Sequence, residues 1–125
     1  MKLVISVSEN EDISNCLAVF GFSANFDNIQ RYYKEWSCIF DNAKKAMPLM
    51  SPALNICNVA RGRTDFFINF GSSVEGHAAA AFILKNAGGI VYNYDFSEWN
   101  HNIKGIIATN RSVSLKTKYK TYICI

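Results

Sequence analysis

Apolar and polar positions follow each other along this chain in two rhythms, a two-residue one and a three-to-four-residue one, and the switches between them mark the elements. Leu3 to Val7 is a short β-branched run that predicts a strand, and the polar Ser8-Glu9-Asn10-Glu11-Asp12 predicts a turn. Cys16 to Phe22 reads as a second strand with Gly21 at its end. Asn25 or Asp27 then caps a helix running to about Lys45, in which Ile29, Tyr32, Tyr33, Trp36 and Phe40 recur at three-to-four spacing as an expected core stripe. Ala46 to Met50 is a brief apolar segment. Ser51-Pro52 follows it with an N-cap residue and a proline suited to the first helical position, so a helix starts there, carries Ala53, Leu54, Cys57, Val59 and Ala60, and stops at Gly62.

Asp65 to Phe70 is the next strand-like run, closed by Gly71. Ser72 and Glu75 stand three apart just before the apolar Ala78 to Leu84, the spacing of a capping box. Gly88 and Gly89 end that helix with the left-handed cap that glycine adopts without a Cβ clash. Ile90 to Tyr94 and Lys104 to Thr109 predict two further strands around the turn-rich Asp95 to Asn102. Strands and helices alternate through most of this order, which predicts an α/β layered sandwich rather than a bundle or an all-β fold.

Composition narrows the picture. A chain of 125 residues, half of them hydrophobic, has the size of one domain and buries about two thirds of its unfolded surface on folding. The net charge of +3 comes without a basic cluster, so nucleic acid is not an expected partner. Lys104, Arg111, Lys116, Lys118 and Lys120 fall near the end with no acid among them, and residues 113–125 read as a solvated basic tail behind a domain of residues 1–112. Cys16, Cys38, Cys57 and Cys124 make no CxxC or Cys/His cluster, so they read as buried or free thiols in a reducing compartment. The segment Met1 to Ser6 is too short for a signal peptide, and no apolar run approaches the 18 or so residues of a membrane span. The expectation is a cytoplasmic protein without a membrane partner.

Four stretches carry a resemblance. The run from Ser51 to Asp65, SPALNICNVARGRTD, resembles the "GSAALNLCYVARGRLDAY" stretch of inositol monophosphatases. Ala78 to Gly89, AAAAFILKNAGG, resembles the family's "AAGALIVEEAGG" helix, and Gly105 to Asn110, GIIATN, its closing "IAAN" strand. Val7 to Phe22, VSENEDISNCLAVFGF, looks like the hairpin that begins the family's C-terminal domain. The matches are colinear from about residue 3 to 112 and imply the C-terminal domain of a layered αβαβα sandwich.

The resemblance also implies a chemistry. Hydrolysis of a phosphomonoester needs charge neutralised on the phosphoryl oxygens and a water made nucleophilic, and bound Mg²⁺ supplies both. Magnesium takes closely grouped carboxylates. In the family these come mostly from "GEE" and "DPLDGT" in the N-terminal half, and neither motif occurs here. A further family ligand, the aspartate of a "WD" pair, falls in register on Gly76, with Glu75 at the tryptophan. Glu75 is therefore a weak candidate metal ligand beside its role in a capping box. Substrate contacts of the family map to Ser51 and Ala53 and, in place of an acid, to Asn69. For Ser51 an ordinary N-cap explains the residue equally well. His77 sits beside a helix N-terminus suited to phosphate, although an ordinary core or surface histidine is the plainer reading. Cys57 and Tyr94 read as structural.

Together these readings imply the C-terminal half of a Mg²⁺-dependent phosphomonoesterase of the inositol or sugar phosphate class, truncated and inactive alone. Two alternatives stand beside it: one half of a split phosphatase, and a non-catalytic pseudoenzyme that binds a full-length relative. The partners implied are a phosphorylated polyol or sugar, a second copy of the chain, or a separate N-terminal half.

Overall fold

A computed structural model describes residues 5–22, 26–49, 51–70, 77–93, 95–100, 105–113 and 115. Among these, five strands form one mixed sheet: β1 (Leu17–Phe22), β2 (Lys45–Pro48), β3 (Phe66–Phe70), β4 (Ile90–Tyr92) and β5 (Ile106–Thr109). Their order is β2-β1-β3-β5-β4. The strands β2, β1 and β3 run parallel, while β5 is antiparallel to both β3 and β4.

The central strands are apolar at consecutive positions because both faces of the sheet are covered. Phe66, Ile68 and Ile107 point to one core with Ala18, Trp36, Ile39 and Phe40. Phe67, Ile106 and Ala108 point to the other with Val19, Ile56, Val59, Ala81 and Leu84. The first core lies under α1 (Phe26–Arg31), a π-helical turn (Tyr32–Trp36) and α2 (Ser37–Asp41), which run on without a break. The second lies under α3 (Pro52–Ala60) and α4 (Ala78–Asn86), packed side by side. The result is the layered α/β arrangement expected from the alternation of elements. Among the described residues no helix is long and apolar enough to cross a membrane.

Several boundaries differ from the sequence reading. Residues 5–7 lie outside any strand, and Val7 spends its N–H on the carbonyl of Ala87 at 3.2 Å, behind α4. The first helical stretch ends at Asp41, and Lys45 opens β2, because the chain turns so that Lys44 N–H reaches the carbonyl of Cys16 at the start of β1. The expected stripe is also broken. Trp36 and Phe40 are buried, whereas Tyr33 is 70% and Ile29 38% exposed. The wider π turn shifts the angular position of everything after it, so residues spaced for one α-helical face fall on two. Val113 and Leu115, assigned to the tail by sequence, are buried in the first core.

The two glycines after α4 have different reasons. Gly88 takes φ of +95°, the left-handed cap that was expected. Gly89 is needed for space, since a Cβ there would lie 2.7 Å from the Thr109 carbonyl oxygen and inside the Leu84 side chain.

Candidate functional site

The parallel strands β2, β1 and β3 end on the same side of the sheet, where ligands collect in open α/β folds. Gly21 of β1 pairs directly with Asn69 of β3. A Cβ on Gly21 would stand 3.2 Å from Asn69 Nδ2 and 3.3 Å from the Leu49 carbonyl oxygen, so these three residues meet at one corner. Leu49 follows β2 and is held to β1 by its N–H, which donates to the Phe20 carbonyl at 3.2 Å. Its own carbonyl accepts from Asn55 Nδ2 at 3.1 Å. Asn55 sits buried in the first turn of α3, and its backbone N–H donates to the Ser51 carbonyl at 3.1 Å. One carboxamide therefore ties the β2–α3 connection to the strand ends.

Ser51 has φ of 71° and ψ of 80°, a left-handed conformation for a residue with a side chain, and its hydroxyl makes no capping hydrogen bond. The N-cap reading of its side chain is thereby corrected. Such a backbone conformation costs about 1–3 kcal/mol and persists where its surroundings impose it, as Asn55 and Leu49 do here. Ala53, exposed in the first turn of α3, offers a backbone N–H from the part of the helix that has no intrahelical acceptor. The structure thus places Ser51, Ala53 and Asn69 at one end of the sheet. Glu75 and Gly76, with the Ser72–Glu75 capping box, lie outside the described residues.

His77 occupies the N-cap position of α4 without a side-chain capping bond. It is 1% exposed, and neither ring nitrogen has a hydrogen-bond partner among the described residues. Burial lowers its pKa below the ordinary histidine value, so the ring is held neutral.

The magnesium implied by the resemblance does not fit the donors described at this corner. They are a hydroxyl, carboxamides and backbone groups, all neutral, whereas Mg²⁺ is held through carboxylates. Among the described residues no three His, Cys, Asp or Glu side chains are grouped to hold a metal. The buried carboxylate of Asp65 stands at the opposite end of β3 and accepts from Ser8 Oγ, from Asn10 Nδ2 at 3.0 Å and from the Leu17 N–H at 2.7 Å.

Sequence reasoning did not single out Gly21 or Asn55 for this corner. Asn55 left one signal, a carboxamide among the apolar positions of a short helix. Gly21 was legible as a strand end but not as the floor beneath Asn69.

A three-layer α/β domain with a polar corner at the ends of its parallel strands defines the class of protein. The sequence profile of the inositol monophosphatase family matches residues 2–124, and the chain belongs to that family. The fructose-1,6-bisphosphatase/inositol-1-monophosphatase of Thermotoga maritima is 32% identical over 108 residues, covering 85% of this chain and 40% of that protein. Inositol monophosphatase 3 of Solanum lycopersicum is 42% identical over 62 residues, 48% of this chain and 23% of its own length. Among solved structures, the inositol monophosphatase from Anabaena (Nostoc) sp. PCC 7120 superposes with a TM-score of 0.82 at 27% identity, over 96% of this chain and 50% of that one. The chain spans half or less of the length of each of these relatives.

Proposed function

We propose that this chain is the substrate-side half of a Mg²⁺-dependent phosphomonoesterase of the inositol or sugar phosphate class, and that it does not turn over substrate by itself. The observation that carries this reading is the neutral corner of Ser51, Ala53 and Asn69 at the strand ends, in a chain without "GEE" or "DPLDGT". Its parts suit a hydroxyl-rich ligand. Ser51 and Ala53 are exposed at the α3 N-terminus, whose partial positive charge favours an anionic group. Asn69, 3% exposed at the same corner, adds a carboxamide that both donates and accepts, a group suited to a polyol hydroxyl that enters the corner. No residue described here supplies a base or a metal anchor, so no bond-breaking step is assigned to this chain.

The test is phosphate release from an inositol monophosphate and a sugar bisphosphate by the purified 125-residue chain with Mg²⁺. The expected result is release at background. Turnover above background that disappears on Ser51→Ala or Asn69→Ala overturns the reading. Turnover gained only by co-expression with a polypeptide carrying "GEE" and "DPLDGT" makes the chain half of a split enzyme, with the same corner on its substrate side.

A further inference from the structure

Two helices begin at the end of the sheet that carries the candidate corner. Helix α3 leads from the end of β2 back to the start of β3, and α4 leads from the end of β3 back to the start of β4. The strands β2, β3 and β4 run in one direction, so both helices run against them, packed side by side. The first turn of α4 therefore opens at the same end as Ser51, Ala53 and Asn69. There Ala81 donates to the His77 carbonyl at 2.8 Å, and the amides of Ala78, Ala79 and Ala80 stand before that intrahelical bond. Ala78 and Ala79 are exposed, as are Ser51 and Ala53, so both first turns meet solvent.

His77, one residue ahead of them, is buried and makes no capping bond, and its two ring nitrogens have no hydrogen-bond partner among the described residues. Buried polar atoms in folded proteins are nearly always paired, because an orphan carries its whole desolvation cost. A neutral imidazole holds one donor and one acceptor, and a hydroxyl group answers both. We infer that His77 is a specificity-determining residue of this corner, pairing through its ring with a hydroxyl of the phosphorylated polyol. The inference rests on the substrate-side reading proposed above and adds to it a residue that selects for hydroxyls. Burial keeps the ring neutral, which suits it to a hydroxyl rather than to the anionic group. The anion is served instead by the partial positive charge at the helix N-termini.

Calorimetric titration of the 125-residue chain with an inositol monophosphate and with inorganic phosphate tests the assignment, using His77→Leu, His77→Gln and Asn69→Ala. The expected result is that His77→Leu weakens binding of the inositol monophosphate about tenfold and leaves that of inorganic phosphate unchanged, while the carboxamide of His77→Gln recovers part of the loss. In the parent chain, ¹⁵N resonances of the His77 ring are expected to shift with the inositol monophosphate and not with inorganic phosphate, a readout that needs no variant to fold. Ring resonances that stay in place, or binding that Asn69→Ala weakens and His77→Leu does not, overturn the role of His77 and leave the substrate-side reading standing. A chain that binds neither ligand overturns both.

Discussion

Leu17 donates its backbone N–H to the carboxylate of Asp65 at 2.7 Å, joining the first residue of β1 to the residue just before β3 across 48 positions of sequence. The same carboxylate holds Ser8 and Asn10, and Asn110 closes the arrangement by donating from Nδ2 to Ser8 Oγ at 2.8 Å and from its N–H to the Asp65 carbonyl at 3.0 Å. Asp65 is 3% exposed, and its carboxylate is satisfied by the hydrogen bonds from Ser8, Asn10 and Leu17.

Asp65→Ala removes the acceptor and leaves Ser8, Asn10 and the Leu17 N–H without their bonds. The expected loss is about 1–3 kcal/mol, since part-buried donors orphaned by a mutation keep part of their desolvation cost. Denaturant titration checks it. A loss within about 0.5 kcal/mol, the range of ordinary surface substitutions, refutes the role assigned to the network.

Gly89→Ala tests the tight passage from α4 into β4. The added methyl meets the Leu84 side chain and the Thr109 carbonyl oxygen, and the latter belongs to a paired strand that cannot withdraw freely. The expected cost is about 1–3 kcal/mol, as for other overpacked sites. At Gly88 the same substitution also costs stability, through its φ of +95° rather than through crowding. Measured against a Leu84→Ala background, which makes room at position 89 at its own cost in stability, Gly89→Ala is expected to cost less than in the parent and Gly88→Ala to cost the same. Equal behaviour of the two positions in that background contradicts the distinction.

The cysteines separate by reactivity. Burial, then the charges of Asp65 and Asp12, push the Cys16 thiol up to about 12 from 9.0. Its Sγ donates to the Asp12 carbonyl at 3.3 Å. Cys38 and Cys57 are half-buried thiols outside any disulfide among the described residues. Thiolate is the reactive form, so iodoacetamide at neutral pH should modify Cys38 and Cys57 while Cys16 reacts only as fast as the chain opens. Peptide mass spectrometry reads the order. For stability the sign follows from the raised value: the folded chain keeps the proton that the unfolded chain releases above pH 9.0. The contribution is whole below pH 9.0 and is lost as pH climbs towards about 12. Early alkylation of Cys16 in the folded chain contradicts its burial.

Some of this was written openly in the sequence. The helices α3 and α4 start or stop at Pro52, Gly62 and Gly88, and β1 ends one residue past Gly21, residues whose backbone preferences mark ends regardless of tertiary context. The strand β2 was hidden because Lys45–Pro48 is short, lies at the sheet edge and includes a proline, so pairing with β1 rather than propensity makes it a strand. The π turn was hidden because Ile29, Tyr33 and Phe40 match an α-helical period that the backbone does not keep. At the candidate site, Ser51 and Asn69 could be located by resemblance. What seats them, the left-handed turn at Ser51, the bond from Asn55 to Leu49 and the pairing of Asn69 with Gly21, is a backbone arrangement that no residue period encodes.

His77 makes the chain acid-sensitive. Its ring is 1% exposed, both nitrogens lack partners among the described residues, and burial lowers its pKa from 6.5. A base with a depressed folded pKa binds its proton more readily when unfolded, so protons favour unfolding. The stability that the neutral ring permits is complete above pH 6.5, falls as pH drops below that value, and levels off once the folded pKa is passed. His77→Leu replaces the ring with an apolar side chain that has nothing to protonate and leaves no unpaired nitrogen in the core. The variant is expected to be at least as stable as the parent at neutral pH and to lose the decline that begins near pH 6.5. Thermal melts of both chains between pH 8 and pH 5, carried out in matched ionic strength, measure the difference. If the two curves fall in parallel below pH 6.5, another group is responsible and the buried neutral ring has no part in the acid response.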